Sequence, residues 1–221
     1  MIEAEEPIYT LAEAARYVAS SAQTIARWRA GYSFPTRTGR GQSSQLTSGA
    51  TSGRLSFTDL LEVAVVAAAR KANIPMRAVR RAIDAAKDIY NVEQPLVQIR
   101  FKHDGREIFT QELEEGGRDR FVNLSRRGQI AWQHIEDVLQ NLDYNGDGIA
   151  YRWWPAGHDE PIVIDPRVSF GRPYVFRRGV STDAVRSRFR AGQSLDDIAD
   201  DLSMSVPEAE AALRFEMPEA A

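Results

Sequence analysis

Four times along this chain a hydroxyl residue is followed three positions later by an acid and then by apolar residues at helical spacing: Thr10 and Glu13, Ser56 and Asp59, Ser194 and Asp197, Ser205 and Glu208. Each has the form of a capping box, in which the hydroxyl satisfies an unpaired amide of the first helical turn and the acid reaches back to the cap. A chain that opens helices this often folds mainly as short, packed helices. Its 221 residues and 43% hydrophobic content suffice for a buried core, in one large domain or two to three small ones.

Zero cysteines exclude disulfides, thiolate catalysis and cysteine-ligated zinc or iron–sulfur sites. The longest apolar run, Val63 to Ala69, is far short of the ~18 residues of a membrane span. The opening residues, with Glu3, Glu5 and Glu6, lack the basic and apolar regions of a secretory signal, so a cytoplasmic protein without membrane contact is expected. The net charge is only −3, but its distribution is uneven. From Ala14 to Thr58 there are six arginines and no acid, which gives this end an affinity for polyanions.

Within that block, Thr10 caps a first helix with Leu11, Ala14, Ala15 and Val18 as its apolar stripe. Ser20 or Ser21 caps a second, with Ile25 and Trp28 inward. Gln23, Thr24, Arg27 and Arg29 are left for the outside. Two short helices about a tight turn make a helix-turn-helix, whose second helix lies in the major groove with side chains aimed at base edges. Ser33 to Ser56 is almost entirely Ser, Thr, Gly, Gln and Arg and cannot bury a core. It reads as a long, mobile wing, in which Arg37, Arg40 and Arg54 either track phosphates or belong to a solvated insertion. Helices over Phe57 to Ala72 and Met76 to Tyr90 complete a first domain, 1–91. In the second of these, Met76, Val79, Ile83 and Ala86 share one face, with Arg77, Arg80, Arg81 and Lys87 on the others.

A small α+β middle unit, 92–157, is expected next. Strands at Leu96 to Phe101 and Glu107 to Gln111 would flank the Asp104-Gly105 turn signal, with another at Arg120 to Leu124. A helix from about Ile130 to Leu142 and a strand at Ile149 to Trp154 follow. The last module, 158–221, has short strands at Ile162 to Pro166 and Arg172 to Phe176. Three helices come after them, Thr182 to Ala191, Leu195 to Leu202 and Val206 to Phe215, a second helix-turn-helix shape. Leu195 to Ala221 carries eight acids against Arg214 alone. That surface repels phosphate, so the module is assigned to protein binding or dimerisation, with Leu202, Val206, Leu213 and Phe215 as core or interface. The fold class is therefore α+β multidomain and mainly helical.

The residues Pro161-Ile162-Val163-Ile164-Asp165-Pro166, Phe170-Gly171-Arg172-Pro173, Gly179-Val180, Arg190-Ala191-Gly192, Ser194 and Asp197-Ile198-Ala199 resemble a small bacterial domain common in antitoxins. In that domain two strands lead into three helices. The start, through Tyr9-Thr10-Leu11-Ala12-Glu13-Ala14-Ala15 and Thr24-Ile25-Ala26-Arg27-Trp28, resembles a MerR-like winged helix-turn-helix. The order of the two is similar to a VapB-type antitoxin of a type II toxin–antitoxin pair. The resemblance implies a homodimer that represses its own operon by binding operator DNA and neutralises a PIN-type ribonuclease toxin. It implies DNA contacts at Gln23, Thr24, Arg27, Arg29, Arg37, Arg40 and Arg54. Toxin contacts are expected at Arg177, Arg178, Arg186, Arg190, Leu213 and Phe215.

No enzyme signature competes with this reading. Asp143-Tyr144-Asn145-Gly146-Asp147-Gly148 begins like a calcium loop, but Trp154 stands where a bidentate Glu is needed. His103, His134 and His158 lie in separate segments without metal-ligand spacing. No phosphate loop or nucleophile elbow occurs, so no cofactor, metal or catalytic residue is expected. Two other readings remain. One is a MerR-like transcription factor whose middle unit senses a ligand with Trp132, Trp153 and Trp154; the other is an adaptor that does not touch DNA.

Overall fold

The computed structural model describes residues 4–30, 33–36, 39–42, 53–115 and 124–217. The chain divides into two compact units, Glu5–Gln140 with Tyr144–Ala150, and Asn141–Asp143 with the chain from Tyr151 on. The architecture is mixed α+β and mainly helical.

The first unit opens with β1 (Tyr9–Thr10), α1 (Leu11–Tyr17) and α2 (Ala22–Ala30). Thr10 closes its capping box: the Glu13 amide donates to Thr10 Oγ1, and the Thr10 amide donates to the Glu13 carboxylate at 2.8 Å. Ala19, at φ 49°, makes the left-handed turn between the two helices. Part of the expected unstructured wing is in fact a hairpin: β2 (Ser33–Thr36) pairs antiparallel with β3 (Gly39–Gln42), Pro35 opposite Arg40. Backbone pairing supplies there what apolar side chains do not. β4 (Arg54–Leu55) then returns to β1, with Leu55 opposite Tyr9. Residues 43–52 of the wing, and Arg37, lie outside the described residues.

Ser56 and Asp59 form the expected capping box at the start of α3 (Phe57–Lys71), whose side chains from Phe57 to Val66 are all buried. α4 (Met76–Tyr90) buries Val79, Ile83 and Ala86 as the pattern predicts. Beyond Asn91 the expected strands are replaced by helix. α5 (Ile99–Glu115) runs straight through Asp104-Gly105. A Cβ at Gly105 would stand 2.8 Å from the ring of Phe101, one turn earlier, and that ring is buried against Trp132 with centroids 5.9 Å apart. This glycine makes room for an aromatic ring rather than for a hairpin turn.

α6 (Leu124–Gln140) begins earlier than Ile130 and packs on α3 and α5, while α5 packs on α4. The helical core therefore continues past Asn91, and the chain does not divide there. Of the strand expected at Arg120 to Leu124, only Leu124 is described, and it opens α6. β5 (Leu142–Tyr144) and β6 (Ala150–Trp153) form a two-stranded sheet.

In the second unit β7 (Ile162–Val163), β8 (Tyr174–Val175) and β9 (Val180–Ser181) make an antiparallel sheet with β8 central. α7 (Thr182–Arg190), α8 (Leu195–Asp201) and α9 (Val206–Glu216) follow, each capped by the serine before it. Ile162, Val175, Val185, Ile198, Ala209 and Ala212 are the centre of its core. Asp165, wholly buried, accepts from Arg167 Nη2 at 2.7 Å and Nε at 2.9 Å, and from Arg152 Nε at 3.3 Å. Burial opposes its charge, but the hydrogen bonds from Arg167 and the charges of Arg167 and Arg152 outweigh it and hold the carboxyl below the usual range.

Candidate nucleic-acid interface and docking module

The amide of Thr24 donates to Ser21 Oγ at 3.1 Å, which caps α2, and the two hydroxyls lie 2.7 Å apart. Thr24 is thus tied into the cap of its own helix. Ile25 and Trp28 are buried as expected, whereas Gln23 and Arg27 are exposed one turn apart on one face.

Arg29 departs from the outward position expected of it. It is buried, and its Nη2 donates to the Arg54 carbonyl at 2.9 Å. Arg54, exposed on β4, donates Nη1 to the Ile8 carbonyl at 3.0 Å. Arg80, also expected outside, is buried, and its Nη2 donates to the Trp28 carbonyl at 2.9 Å. The physical reason is common to all three. Backbone carbonyls in the last turn of a helix and beside a strand end are short of main-chain donors, and a long guanidinium reaches them. Burial lowers the Arg29 pKa, and the Asp59 carboxylate opposes that shift.

Arg80 was not among the expected site residues, yet it ties the last turn of α2 through the Trp28 carbonyl. Its spacing, four after Met76 and three before Ile83, puts it on the apolar stripe of α4, which is the signal that places it inward. Arg40 lies in β3, and Arg37 is outside the described residues. A short helix braced at its last turn thus presents an amide and a guanidinium to the outside, within an acid-free segment. Such groups suit base edges and phosphates.

In the second unit, Arg178 pairs with Glu208 at 3.2 Å and Arg188 with Asp201 at 2.8 Å. Arg186 pairs with Asp183 and, at 2.8 Å, with the buried carboxylate of Glu216, which also accepts from Thr182 Oγ1 at 2.6 Å. Arg186 is therefore a clasp between α7 and α9, not a projecting contact. Phe215 likewise packs against the core. Arg177 and Arg190 are exposed. Leu213 lines an open hollow of about 380 Å³ with Leu195, Glu210, Arg214 and Met217.

Trp132, Trp153 and Trp154 are all buried, the first in one unit and the others in the second. Asp143, first residue of the calcium-like loop, accepts from Arg152 Nη1 at 3.3 Å and Trp154 Nε1 at 3.1 Å. Asn145 Oδ1 of the same loop accepts from the amides of Asp147 and Ile149.

Two family models match the chain. Residues 7–83 match a "Putative DNA-binding HTH domain", and residues 162–215 match a "Protein of unknown function (DUF433)". The "Putative antitoxin VapB45" of Mycobacterium tuberculosis is 32% identical over 215 residues, 90% of this chain and 89% of that protein. The chain belongs to the VapB45 antitoxin family. A crystal structure of Rv2018 from Mycobacterium tuberculosis, 25% identical, superposes with a TM-score of 0.71 over 95% of this chain and 98% of that one. Family and helix-turn-helix together point to a DNA-binding regulator rather than an enzyme. Among the described residues no helix is long and apolar enough to cross a membrane.

Proposed function

We propose that this family member neutralises a PIN-type ribonuclease toxin through its carboxy-terminal unit and represses its own operon as a homodimer through α2. The observation that carries the reading is that similarity to a protein named as an antitoxin runs through 90% of the chain, and so spans both the helix-turn-helix and the acidic module of this chain. The braced α2, with Gln23 and Arg27 exposed, supports operator contact. Two reading helices of a dimer would address half-sites one helical turn apart. The exposed Arg177 and Arg190 suit the acidic surface of a metal-dependent nuclease, and Leu213 in its hollow offers an apolar contact.

The test is genetic. The neighbouring reading frame is expressed alone and then with this chain, while growth is followed. Arrest relieved by co-expression is the expected result; arrest that persists, or no arrest, overturns the toxin assignment. A gel shift on the operon's own promoter tests repression separately.

A further inference from the structure

In the second unit the loop before β8 holds an aromatic side chain out in solvent by an unfavourable backbone. Ser169, Phe170 and Gly171 are consecutively left-handed, with φ 50°, 56° and 73°. Only the glycine adopts this conformation without steric cost. Phe170 is 82% exposed, the most exposed of the large apolar side chains described, so no packing compensates for its strain. The surrounding backbone enforces it: Ser169 Oγ donates to the Gly179 carbonyl at 2.8 Å, the Gly171 amide to Val168 O and the Arg172 amide to Ser169 O. Strain kept in place by surrounding bonds, at a residue that packs on nothing, is the pattern of a functional position.

The same Ser169 to Gly179 bond brings the turn between β8 and β9 alongside the loop. Residues 166–181 contain four arginines and no acid. Arg167 is satisfied by Asp165, and Arg178 by Glu208. Arg172 and Arg177 are exposed, and neither makes an ion pair among the described residues.

We infer that Phe170, flanked by Arg172 and Arg177, is the anchor of a protein-docking surface whose partner offers an apolar pocket bordered by carboxylates. Protein interfaces are enriched in aromatic side chains, phenylalanine included, and in arginine, and buried aromatic anchors dominate their energetics. A nucleic acid also stacks on aromatics next to arginine, but Asp196, Asp197, Asp200, Asp201 and Glu210 are exposed on α8 and α9 of this unit and repel a polyanion. The inference rests on the toxin reading and adds Phe170 and Arg172 to the contacts assigned to it above, beside Arg177.

The test uses the full chain, tagged, co-expressed with the untagged product of the neighbouring reading frame and recovered by affinity. The wild type is expected to retain that product. Phe170→Ala should weaken the complex by about 30-fold or more, and Arg172→Glu with Arg177→Glu by about tenfold. Phe170→Gly should lose binding equally while melting at the same or a higher temperature, since glycine relieves the left-handed strain. Wild-type retention by all three variants overturns the docking surface and leaves the toxin reading standing. Failure of the wild type itself overturns both. Lower melting temperatures for the Gly and Ala variants alike would make Phe170 structural. Wild-type binding of a labelled oligouridylate that falls in Phe170→Ala would assign the loop to nucleic acid instead.

Discussion

The two units use the same residue type for opposite ends. In the first, Arg29, Arg54 and Arg80 donate to backbone carbonyls of Arg54, Ile8 and Trp28. In the second, Arg167, Arg178, Arg186 and Arg188 pair with carboxylates of Asp165, Glu208, Glu216 and Asp201. The lesson is that an arginine-rich segment is not automatically a basic surface. In the helix-turn-helix unit Arg29 and Arg80 are buried struts rather than surface cations, and in the acidic module the ion pairs leave Arg172, Arg177 and Arg190 as exposed cations. Composition sets how many guanidinium groups exist; unpaired carbonyls and carboxylates decide how many remain available.

The contrast is broken most forcefully at Asp165. Asp165→Asn leaves Arg152 and Arg167 beside a buried neutral amide, and the second unit should lose about 2–3 kcal/mol. The figure lies below the ~3–5 kcal/mol of a fully buried broken pair because Arg167 is 44% exposed and partly screened. The check is the urea midpoint of wild type and variant. Asp165 also gives the contrast a pH signature. Its folded carboxyl titrates below its unfolded one, so the stabilisation is present above the unfolded value, ~3.9, and is lost as pH falls through the folded value. The variant should lack that part of the acid limb.

Arg80→Ala attacks the other use of arginine. It removes the donor to Trp28 O together with packing, and should cost about 1–2 kcal/mol and weaken promoter binding because the last turn of α2 loosens. Equal promoter affinity in stabilised, fully folded Arg80→Ala would show that the strut does not position the reading helix.

A smaller effect of opposite sign is expected at Glu62, buried in α3. Burial, and then the Asp59 carboxylate, push its pKa well above the ordinary range, against the opposing Lys87 charge. The folded state therefore holds this proton more tightly than the unfolded one. Stability is greatest below the unfolded value, ~4.3, and declines as pH rises toward the folded value. Glu62→Gln should raise the urea midpoint at neutral pH and flatten that decline; an unchanged profile would mean that Glu62 does not titrate differently on folding.

What was legible in the sequence follows the same division. The boxes at Thr10, Ser56 and Ser205 are local, involving residues three apart, and all three form with the expected partners. The acidic module's three helices end within a residue or two of their expected limits because Gly192 and the cap serines mark them. Gly105 misled because its partner, the Phe101 ring, is held down by Trp132, a contact that depends on α6 lying against α5. Arg29 was illegible for the same reason: nothing near it in sequence states that the Arg54 carbonyl, twenty-five residues on, needs a donor. Short-range hydrogen bonding is written in spacing, whereas the orientation of a long cation depends on which distant backbone groups are left unpaired.

Arg27 sharpens the comparison with the least disturbance of the fold. It is exposed, one turn from Gln23, and makes no ion pair among the described residues. Arg27→Ala should therefore change stability by less than about 0.5 kcal/mol. If Arg27 meets phosphate, the variant weakens binding alike on all sequences and reduces the salt slope by about 1; if it meets guanine, the loss is about 1–3 kcal/mol at one operator position. Thr24→Ala is a poorer probe of the same face, because its hydroxyl belongs to the Ser21 cap and any loss of binding would mix contact with helix fraying. Titrations at two salt concentrations on promoter and unrelated duplex separate the two roles. Unchanged affinity and slope would move the reading surface away from α2, toward the β2–β3 hairpin with Arg40, and leave the struts bracing a helix that does not touch DNA.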